Sequence, residues 1–303
     1  MTEQHEQWDI VSSVGFTALL VAAGRAVETC RDDRLVDDPW AQRFVAAAQP
    51  PSVVPVRPGE TWAVDDPDPG IRSEIDGFWT MMATYQGVRS RFFDDALGRA
   101  VAAGVDQVVL LAAGLDARAL RLQWGPGVTV YEVDQAGVLE FKDEVVDSHD
   151  GRPTCDRRAV GVDLRDDWVS ALRARGFDPS RPTAWLAEGL LPFLPALAQE
   201  QLLCAIDELS APGSTIAAEH FADAIGMMSG RRSLAVLVAP FGVQFPSLIS
   251  SEQRPPAARR LAELGWDVTS ADSPGVARGY GRDLGGLPDG MEFSSDLVTA
   301  TKS

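Results

Sequence analysis

The sequence predicts a doubly wound α/β fold, in which helices cover both faces of a mostly parallel sheet. Short apolar runs alternate with helical stretches from about residue 107 onward, and this alternation is typical of βα units. Each run ends at or beside a glycine, an acid or another polar residue, as strands do where a parallel sheet presents its ligand site. The five runs are QVVLLAAG (107–114), VTVYEVD (128–134), RAVGVDL (158–164), TAWLAEG (183–189) and STIAAEH (214–220).

Apolar residues at helical spacing predict most of the remaining elements. A serine opens the first predicted helix, Gly104 stops the third, and Pro212 with Gly213 stops the last. Two late segments, 266–271 and 291–301, are expected to form a closing hairpin at the sheet edge. The predicted helices cover residues 12–29, a short stretch from about Pro39, and residues 72–103, 135–147, 166–175 and 196–210.

The whole chain, residues 1–303, is expected to form one domain. Six prolines between Pro50 and Pro69 predict a loop or mobile cover there rather than a packed element. We expect this lid-like insertion, residues 50–70, to become ordered when ligand binds, as a lid that excludes water would. The domain divides into an N-terminal helical region with the lid (1–105), a ligand-binding core (106–220) and a substrate-side region with edge strands (221–303).

Composition and charge narrow the classes of function. The 303 residues are 45% hydrophobic and carry a formal charge of −17, a field that repels phosphate backbones and disfavours nucleic acid as a partner. No apolar run approaches the ~20 residues that span a bilayer, and the acidic start lacks the order of a secretory signal, so we expect a cytoplasmic protein. The dispersed Cys30, Cys155 and Cys204 indicate neither a disulfide framework nor a metal site.

A glycine and three acids follow the first four runs, where ligands bind in sheets of this kind. Gly114 permits close approach of a ligand, and the absence of GxGxxG favours a ligand without a pyrophosphate. Asp134, twenty residues later, can accept hydrogen bonds from both hydroxyls of an adenosine ribose. Asp163 with Leu164 can hold adenine, and Glu188 follows the fourth run beside the expected place of a cation. Each acid could instead cap the next helix, but their order favours adenosine plus a cation.

Several segments of the chain resemble one known family. They are WDIVSSVGFTALLVAAGRAVE, VRSRFFDDAL, QVVLLAAGLDARALRL, VTVYEVDQAGVLEFK, RAVGVDLRDDW and TAWLAEGLLPFL. From about residue 8 to about residue 220, the chain resembles bacterial S-adenosylmethionine-dependent methyltransferases related to leucine carboxyl methyltransferases. The resemblance implies the class I methyltransferase fold, which is Rossmann-like, with S-adenosylmethionine as the cofactor. Beyond residue 220 the chain looks more individual, as a substrate-side region would.

The resemblance also implies roles for single residues. It implies that Asp134 holds the ribose and that Gly114 lines the cofactor. It implies that Asp163 with Leu164 holds adenine. Where some relatives have a glycine two positions before Gly114, this chain has Ala112, whose methyl group narrows the approach to the cofactor.

Arg89, in the VRSRFFDD segment, is similar to the arginine that pairs with the methionine carboxylate of the cofactor in such enzymes. A guanidinium suits that task because it binds carboxylates through two parallel hydrogen bonds. Arg91 is the alternative, but it lies two residues away and faces elsewhere on a helix.

The expected reaction is O-methylation of a carboxylate or a hydroxyl on a small molecule. A carboxylate is already a nucleophile, whereas a hydroxyl needs a base, for which His220 is the best placed candidate; a core histidine is the simpler interpretation. Apolar residues hint at an apolar acceptor, although such residues are more often core. They are Leu190, Leu191, Pro192, Phe193, Leu194, Trp62, Trp79, Phe241 and Phe245.

Two other classes of function remain open on the sequence. A nicotinamide-dependent oxidoreductase also places an acid after its second strand, but the glycine pattern and a TyrxxxLys pair are missing. A non-catalytic protein could keep the same fold and recognise a partner through its proline-rich segment.

Overall fold

The strands form a single sheet in the computed structural model, which describes residues 13–64, 68–221, 231–243, 249–250, 252–285 and 293–303. They are β1 (Gln107–Leu111), β2 (Thr129–Asp134), β3 (Asp156–Gly161), β4 (Thr183–Ala187), β5 (Thr215–His220), β6 (Trp266–Asp272) and β7 (Asp296–Lys302). Their order across the sheet is β3-β2-β1-β4-β5-β7-β6. The first five strands pair in parallel, whereas β7 is antiparallel to both neighbours.

Side chains from alternate positions of β1 enter different hydrophobic clusters on the two faces of the sheet. Val108 and Leu110 pack with Phe93 and Leu97 of the long third helix on one face. Val109 and Leu111 pack with the helices on the other face. Because both faces are covered, the central strands are buried throughout, and the predicted doubly wound fold is confirmed.

The six predicted helices are confirmed to within a few residues. The described residues contain four more helices that the sequence analysis did not predict, Arg118–Arg121, Arg232–Val238, Ala257–Glu263 and Ser273–Gly279. In chain order, the helices are α1 (Ser13–Thr29), α2 (Ala41–Ala47), α3 (Pro69–Ala102), α4 (Arg118–Arg121), α5 (Ala136–Ser148), α6 (Trp168–Ala174), α7 (Ala196–Glu208), α8 (Arg232–Val238), α9 (Ala257–Glu263) and α10 (Ser273–Gly279). The Asp68 carboxylate accepts a hydrogen bond from the Gly70 amide and opens α3, and Gly104 ends the helix at φ +99°. The predicted serine cap of α1, Ser12, lies outside the described residues.

The two strands of the predicted closing hairpin pair with each other as predicted, but the prediction that they are joined as a hairpin is wrong. Strands β6 and β7 pair antiparallel from Trp266 with Lys302 to Asp272 with Asp296. However, α10 lies between them in the chain, and β7 inserts between β5 and β6. The Asp272 carboxylate accepts a hydrogen bond from the Gly275 amide, so the chain leaves β6 directly into a helix and no tight turn can form. Residues 291–292 of the prediction lie outside the described part.

The proline-rich segment is a loop, as predicted, but part of it belongs to the core. Residues 50–64 contain neither helix nor strand. Val54 and Trp62 are nevertheless buried, and the Trp62 ring lies 5.3 Å from that of Trp79. The expectation that this stretch does not pack is therefore wrong for these two side chains, because prolines prevent regular structure without preventing burial of apolar neighbours. Closure as a lid stays a prediction.

Among the helices that the structure describes, none is both long enough and apolar enough to cross a membrane.

Candidate functional site

A cavity of about 260 Å³ lies at the carboxyl ends of the parallel strands, where the sequence predicts the ligand site. One wall comes from the loops that follow β1, β2 and β4 and from the end of β5. The opposite wall comes from α1, α3 and the chain beyond residue 220. Five of the residues predicted from the sequence line it, namely Arg89, Ala112, Gly114, Asp134 and Glu188.

The turn after β1 has a backbone conformation that favours glycine. The φ angles of Ala112 and Gly114 are +49° and +48°. At Gly114 the φ angle alone favours glycine, because an added Cβ would have room, with no atom nearer than 3.5 Å. At Ala112 a methyl-bearing residue adopts the left-handed conformation, which costs roughly 1 kcal/mol. The departure from relatives noted in the sequence therefore falls at a strained position.

The turn is fixed to the end of β2 through Asp134. Its Oδ2 accepts a hydrogen bond from the Gly114 amide at 2.6 Å, and its Oδ1 accepts one from the Gln135 amide at 2.7 Å. Burial raises the pKa of Asp134, although these two bonds oppose the rise. A carboxylate has about four acceptor positions, so Asp134 keeps acceptor capacity on the cavity side.

Asp163 and Leu164 are not among the cavity-lining residues. Asp163 accepts hydrogen bonds from Arg165 at 2.9 and 2.8 Å, and the Arg165 guanidinium holds the pKa of Asp163 below its usual range. Gln135, which does line the cavity, donates to the same carboxylate at 3.1 Å. Leu164 is partly buried against the hydrophobic cluster on that face of the sheet. The pair therefore lies behind Gln135, and its predicted role with adenine stays a prediction.

Arg89 is held between two carboxylates at the edge of the cavity. Its Nε lies 2.8 Å from Glu188 Oε1, and its Nη1 donates to Glu219 Oε1 at 2.8 Å. Burial on its own would lower the pKa of this guanidinium, but Glu219 and Glu188 raise it above the usual range, so Arg89 stays charged. Arg91, the alternative, is exposed and pairs with Asp95 instead.

Glu188 also joins Arg89 to a second buried arginine. Its Oε2 accepts a hydrogen bond from Arg118 Nη1 at 2.6 Å. Arg118 pairs in addition with Asp94, at 2.7 Å, and with Asp116. Burial alone would raise the pKa of Asp116, but Arg118 and more distant cations lower it to about 2. Glu188 is thus held in place by two arginines rather than left free to rotate.

The same chain of ion pairs continues to α1. Arg121 donates to both oxygens of Asp94, at 2.7 and 2.8 Å, and its Nε lies 3.9 Å from Asp38. Arg25 of α1 pairs with Asp38 at 2.8 Å and donates to the Leu115 carbonyl at 2.6 Å. These buried pairs connect the helices of the N-terminal region to the turn after β1.

Glu219 is a site residue that the sequence reasoning missed. It is fully buried, lines the cavity and accepts hydrogen bonds from Arg89, from the Gly189 amide at 2.6 Å and from the Tyr85 hydroxyl at 2.6 Å. Tyr85 Oη also lies 2.8 Å from Ser295 Oγ. Burial and Glu219 raise the pKa of Tyr85 well above its usual value, so its hydroxyl stays protonated. An acid one residue before the end of β5 was the available signal.

His220 points away from this cavity. Neighbouring residues of a strand face opposite sides of the sheet, so a strand that directs Glu219 toward α3 directs His220 toward the other face. His220 is buried and is absent from the lining of the cavity among the described residues. Burial lowers the pKa of His220, and Arg254 lowers it further, while Asp296 opposes them.

The wall opposite the strand ends is largely apolar. Of the predicted cover residues, Trp79, Pro192 and Phe193 line the cavity, whereas Trp62 and Phe241 lie in the core beside it. Phe245 lies outside the described residues. The other apolar side chains of this wall include Phe78, Met82, Leu237, Ile249 and Phe293.

Besides Tyr85 and Arg89, α3 contributes one further polar side chain to this wall. Gln86 of α3 lines the cavity and is 3% exposed, and its Oε1 has no hydrogen-bond partner among the described residues. Its aliphatic part packs where Gly24 of α1 has no side chain: an added Cβ at Gly24 would lie 2.6 Å from Gln86 Cγ. A buried, unpaired acceptor is costly in an unliganded protein, and it indicates a place for a ligand's donor group.

The strand order, with a reversed β7 inserted beside β5, and a cavity with an acid after β2 define a class I methyltransferase fold. A family model described as leucine carboxyl methyltransferase matches residues 18–207. The chain belongs to this family, so the resemblance seen in the sequence is confirmed. It is accordingly an enzyme, a methyltransferase of the S-adenosylmethionine-dependent class.

Relatives match the chain over almost its full length. A protein of Saccharopolyspora erythraea is 46% identical over 98% of this chain and 99% of its own. A protein of Rhodococcus jostii is 44% identical over 99% of this chain and 98% of its own. Both carry the name "putative S-adenosyl-L-methionine-dependent methyltransferase". The family assignment decides against the oxidoreductase alternative.

Solved structures support the fold alone, because their sequences are distant. A "putative methyltransferase" of Thermobifida fusca has a TM-score of 0.51 at 15% identity, covering 93% of this chain and 94% of its own. A DUF574 family protein of Streptomyces avermitilis has a TM-score of 0.50 at 12% identity, covering 94% and 97%.

Proposed function

We propose that this methyltransferase binds S-adenosylmethionine across the ends of β1, β2 and β4 and methylates a carboxylate on a largely apolar small molecule. The observation that carries the choice of a carboxylate is the lining of the cavity. Among the described lining residues there is no histidine, lysine or cysteine. The lining therefore offers no neutral base of the common kinds, and its carboxylates are held by arginines and backbone amides. A carboxylate acceptor needs no base.

The cofactor side of the cavity fits S-adenosylmethionine in its polar groups. Asp134 has acceptor capacity left for two ribose hydroxyls. The turn at Gly114 brings its backbone to the cavity without the glycine pattern that a pyrophosphate requires. Among the described residues the lining carries four acids and two arginines, and so complements a cation. When bound, the cofactor supplies a methyl group activated by its positively charged sulfur.

The chain's own contribution to the reaction is positioning and exclusion of water. Asp134 and Glu188 are fixed by backbone amides and arginines, so they need not reorganise when ligand binds. The apolar wall holds few water-binding groups, which keeps an acceptor carboxylate poorly hydrated and reactive. No proton has to be removed from a carboxylate, so the site needs position more than acid-base chemistry.

The proposal is tested with matched pairs of acceptors. Decanoic acid and phenylacetic acid are compared with 1-decanol and 2-phenylethanol, using S-adenosylmethionine labelled in its methyl group. We expect label in products of the acids, and we expect alkali to release it as methanol, because esters hydrolyse and ethers do not. Alkali-stable products from the alcohols alone would contradict the carboxylate proposal in favour of a hydroxyl acceptor. Absence of cofactor binding in calorimetry would contradict the cofactor site itself.

A further inference from the structure

Carboxylates outnumber guanidinium groups around the cavity. We count the charged residues that line it together with those joined to them by ion pairs in the described chain. The acids are Asp38, Asp94, Asp116, Asp134, Glu188 and Glu219, and the bases are Arg25, Arg89, Arg118 and Arg121. Six acids against four bases leave an excess of two negative charges, which we call the acid excess.

The acid excess distinguishes the two forms of the cofactor through the one charge in which they differ. The substrate form of the cofactor carries a sulfonium cation, and the product form carries a neutral thioether in its place. All other charges of the two forms are the same. A unit charge at several ångströms is worth far more in a poorly solvated cavity than in water, because the surroundings screen it less.

Given the proposed function, we propose that the acid excess, with Glu219 as a fully buried member, makes the cavity prefer the sulfonium cofactor over its thioether product. Glu219 is then a specificity-determining residue that promotes release of product. The preference lowers product inhibition without any movement of the chain, since the attraction disappears when the methyl group leaves.

Glu219 suits this task because its charge can be neither moved nor screened by solvent. The residue is fully buried, and three donors hold its two oxygens: Tyr85 and Arg89 of α3, and the Gly189 amide after β4. Glu188, on the other side of Arg89, is also fixed by Arg118. Among the described residues Glu219 pairs with one guanidinium, that of Arg89, which it shares with Glu188.

The variant Glu219→Gln can keep the local hydrogen bonds while it removes the charge. Its amide oxygen can accept from Arg89 and Gly189 as before. Its amide nitrogen can donate to the Tyr85 oxygen, because a phenol both donates and accepts and Tyr85 can donate to Ser295 instead. Glu263→Gln is the matched control, since it makes the same chemical change at an exposed residue of α9 that pairs with Arg259.

The experiment measures dissociation constants by calorimetry for S-adenosylmethionine, S-adenosylhomocysteine and sinefungin, which carries a protonated amine where the cofactor carries its methylated sulfur. For the unaltered protein we expect both cations to bind about tenfold more tightly than S-adenosylhomocysteine. Glu219→Gln should reduce this ratio at least about threefold, and Glu263→Gln should leave it unchanged. A change in positioning alone would weaken all three ligands equally and leave the ratio intact.

Each of the other possible binding results would contradict one particular claim. Failure of all three ligands to bind contradicts the proposed function, whereas equal binding of cations and thioether contradicts only the present proposal. An unchanged ratio in Glu219→Gln, or an equal reduction in Glu263→Gln, removes Glu219 as its cause. If thermal unfolding shows that Glu219→Gln does not fold, Glu188→Gln reduces the acid excess by the same amount and takes its place.

Discussion

The two walls of the cavity differ in polarity and in how their polar groups are paired. The wall at the strand ends is polar and internally paired: Asp134 is bonded to two backbone amides, and Glu188 lies between two arginines. The wall from α3 and the chain beyond residue 220 is largely apolar apart from Tyr85, Gln86 and Arg89, and Gln86 Oε1 has no partner among the described residues. The polar groups of the first wall are held by hydrogen bonds and ion pairs within the protein, whereas the second contains a buried acceptor that the described protein groups leave unpaired.

The difference between the walls indicates how the cavity recognises each of its two substrates. A fixed polar wall recognises a ligand whose structure is constant, as a cofactor's is, because preorganised groups lose little entropy on binding. An apolar wall accepts molecules of suitable size and shape, and it obtains selectivity from a few polar groups. The following predictions test this contrast, from the largest expected effect to the smallest.

Removal of the carboxylate at the end of β2 should have the largest effect. Asp134→Ala eliminates two charge-assisted hydrogen bonds to the ribose and leaves the Gly114 amide without its acceptor. We expect the dissociation constant for S-adenosylhomocysteine to rise by about 100-fold or more in calorimetry. The control Asp156→Ala changes the same residue type at the opposite end of β3, where Asp156 is exposed and pairs with Arg158, and should leave binding unchanged. Equal affinity in Asp134→Ala and the control would contradict the ribose site.

Replacement of Gln86 by an apolar residue should stabilise the folded protein. Gln86→Leu removes a buried acceptor that has no partner, and we expect the free energy of unfolding to increase by about 1 kcal/mol in urea titration. The matched control is Gln199→Leu: Gln199 is equally buried and its Oε1 also has no partner among the described residues, but its Nε2 donates to the Pro255 carbonyl at 3.0 Å, a bond that leucine would remove. That control should lose about 1 kcal/mol. A destabilised Gln86→Leu would mean that the residue serves packing of α3 against α1 and not the ligand.

His220 should affect stability in acid more than catalysis. Its pKa in the folded protein is lowered by burial, so below its ordinary value of about 6.5 the unfolded chain binds the proton more readily. Stability from neutral His220 is therefore fully present at higher pH and is lost as the pH falls. We expect His220→Gln to lose less stability than the unaltered protein between about pH 7.5 and pH 5.5 in thermal unfolding. Loss of methyl transfer by this variant at neutral pH would restore His220 as the catalytic base.

The smallest effect is expected at the strained turn. Ala112→Gly relieves the left-handed conformation at φ +49° but increases the freedom of the unfolded chain, for a net gain of about 0.5 kcal/mol. The melting temperature should rise by about 1–2 °C. Ala113→Gly is the control one position later, where φ is not positive and the side chain is buried, and it should lower the melting temperature. Lower stability in both variants would show that the methyl of Ala112 contributes more by packing than it costs in strain.

Most of the fold and half of the site could be predicted because their signals are local. Strand ends follow from short apolar runs, and Asp134 from its distance along the chain to Gly114. The insertion of β7 beside β5 could not be predicted, since strand order depends on which hydrogen-bonding edges meet in space. The sequence pointed to His220 as a site residue and not to Glu219. The end of a strand is easier to identify from the sequence than the face of the sheet on which each residue lies.

By itself, the sequence determined the α/β class, six of the helices and the five parallel strands to within a few residues, the family, and the acid at the end of β2. These depend on periodicity and spacing within a few tens of residues. Only the tertiary structure decided that Tyr85, Arg89, Glu188 and Glu219 form one buried cluster and that Gln86 enters the cavity unpaired. Tyr85 and Glu219 are 134 residues apart, and a contact at that distance is set by the packing of α3 against the sheet, which no local pattern records.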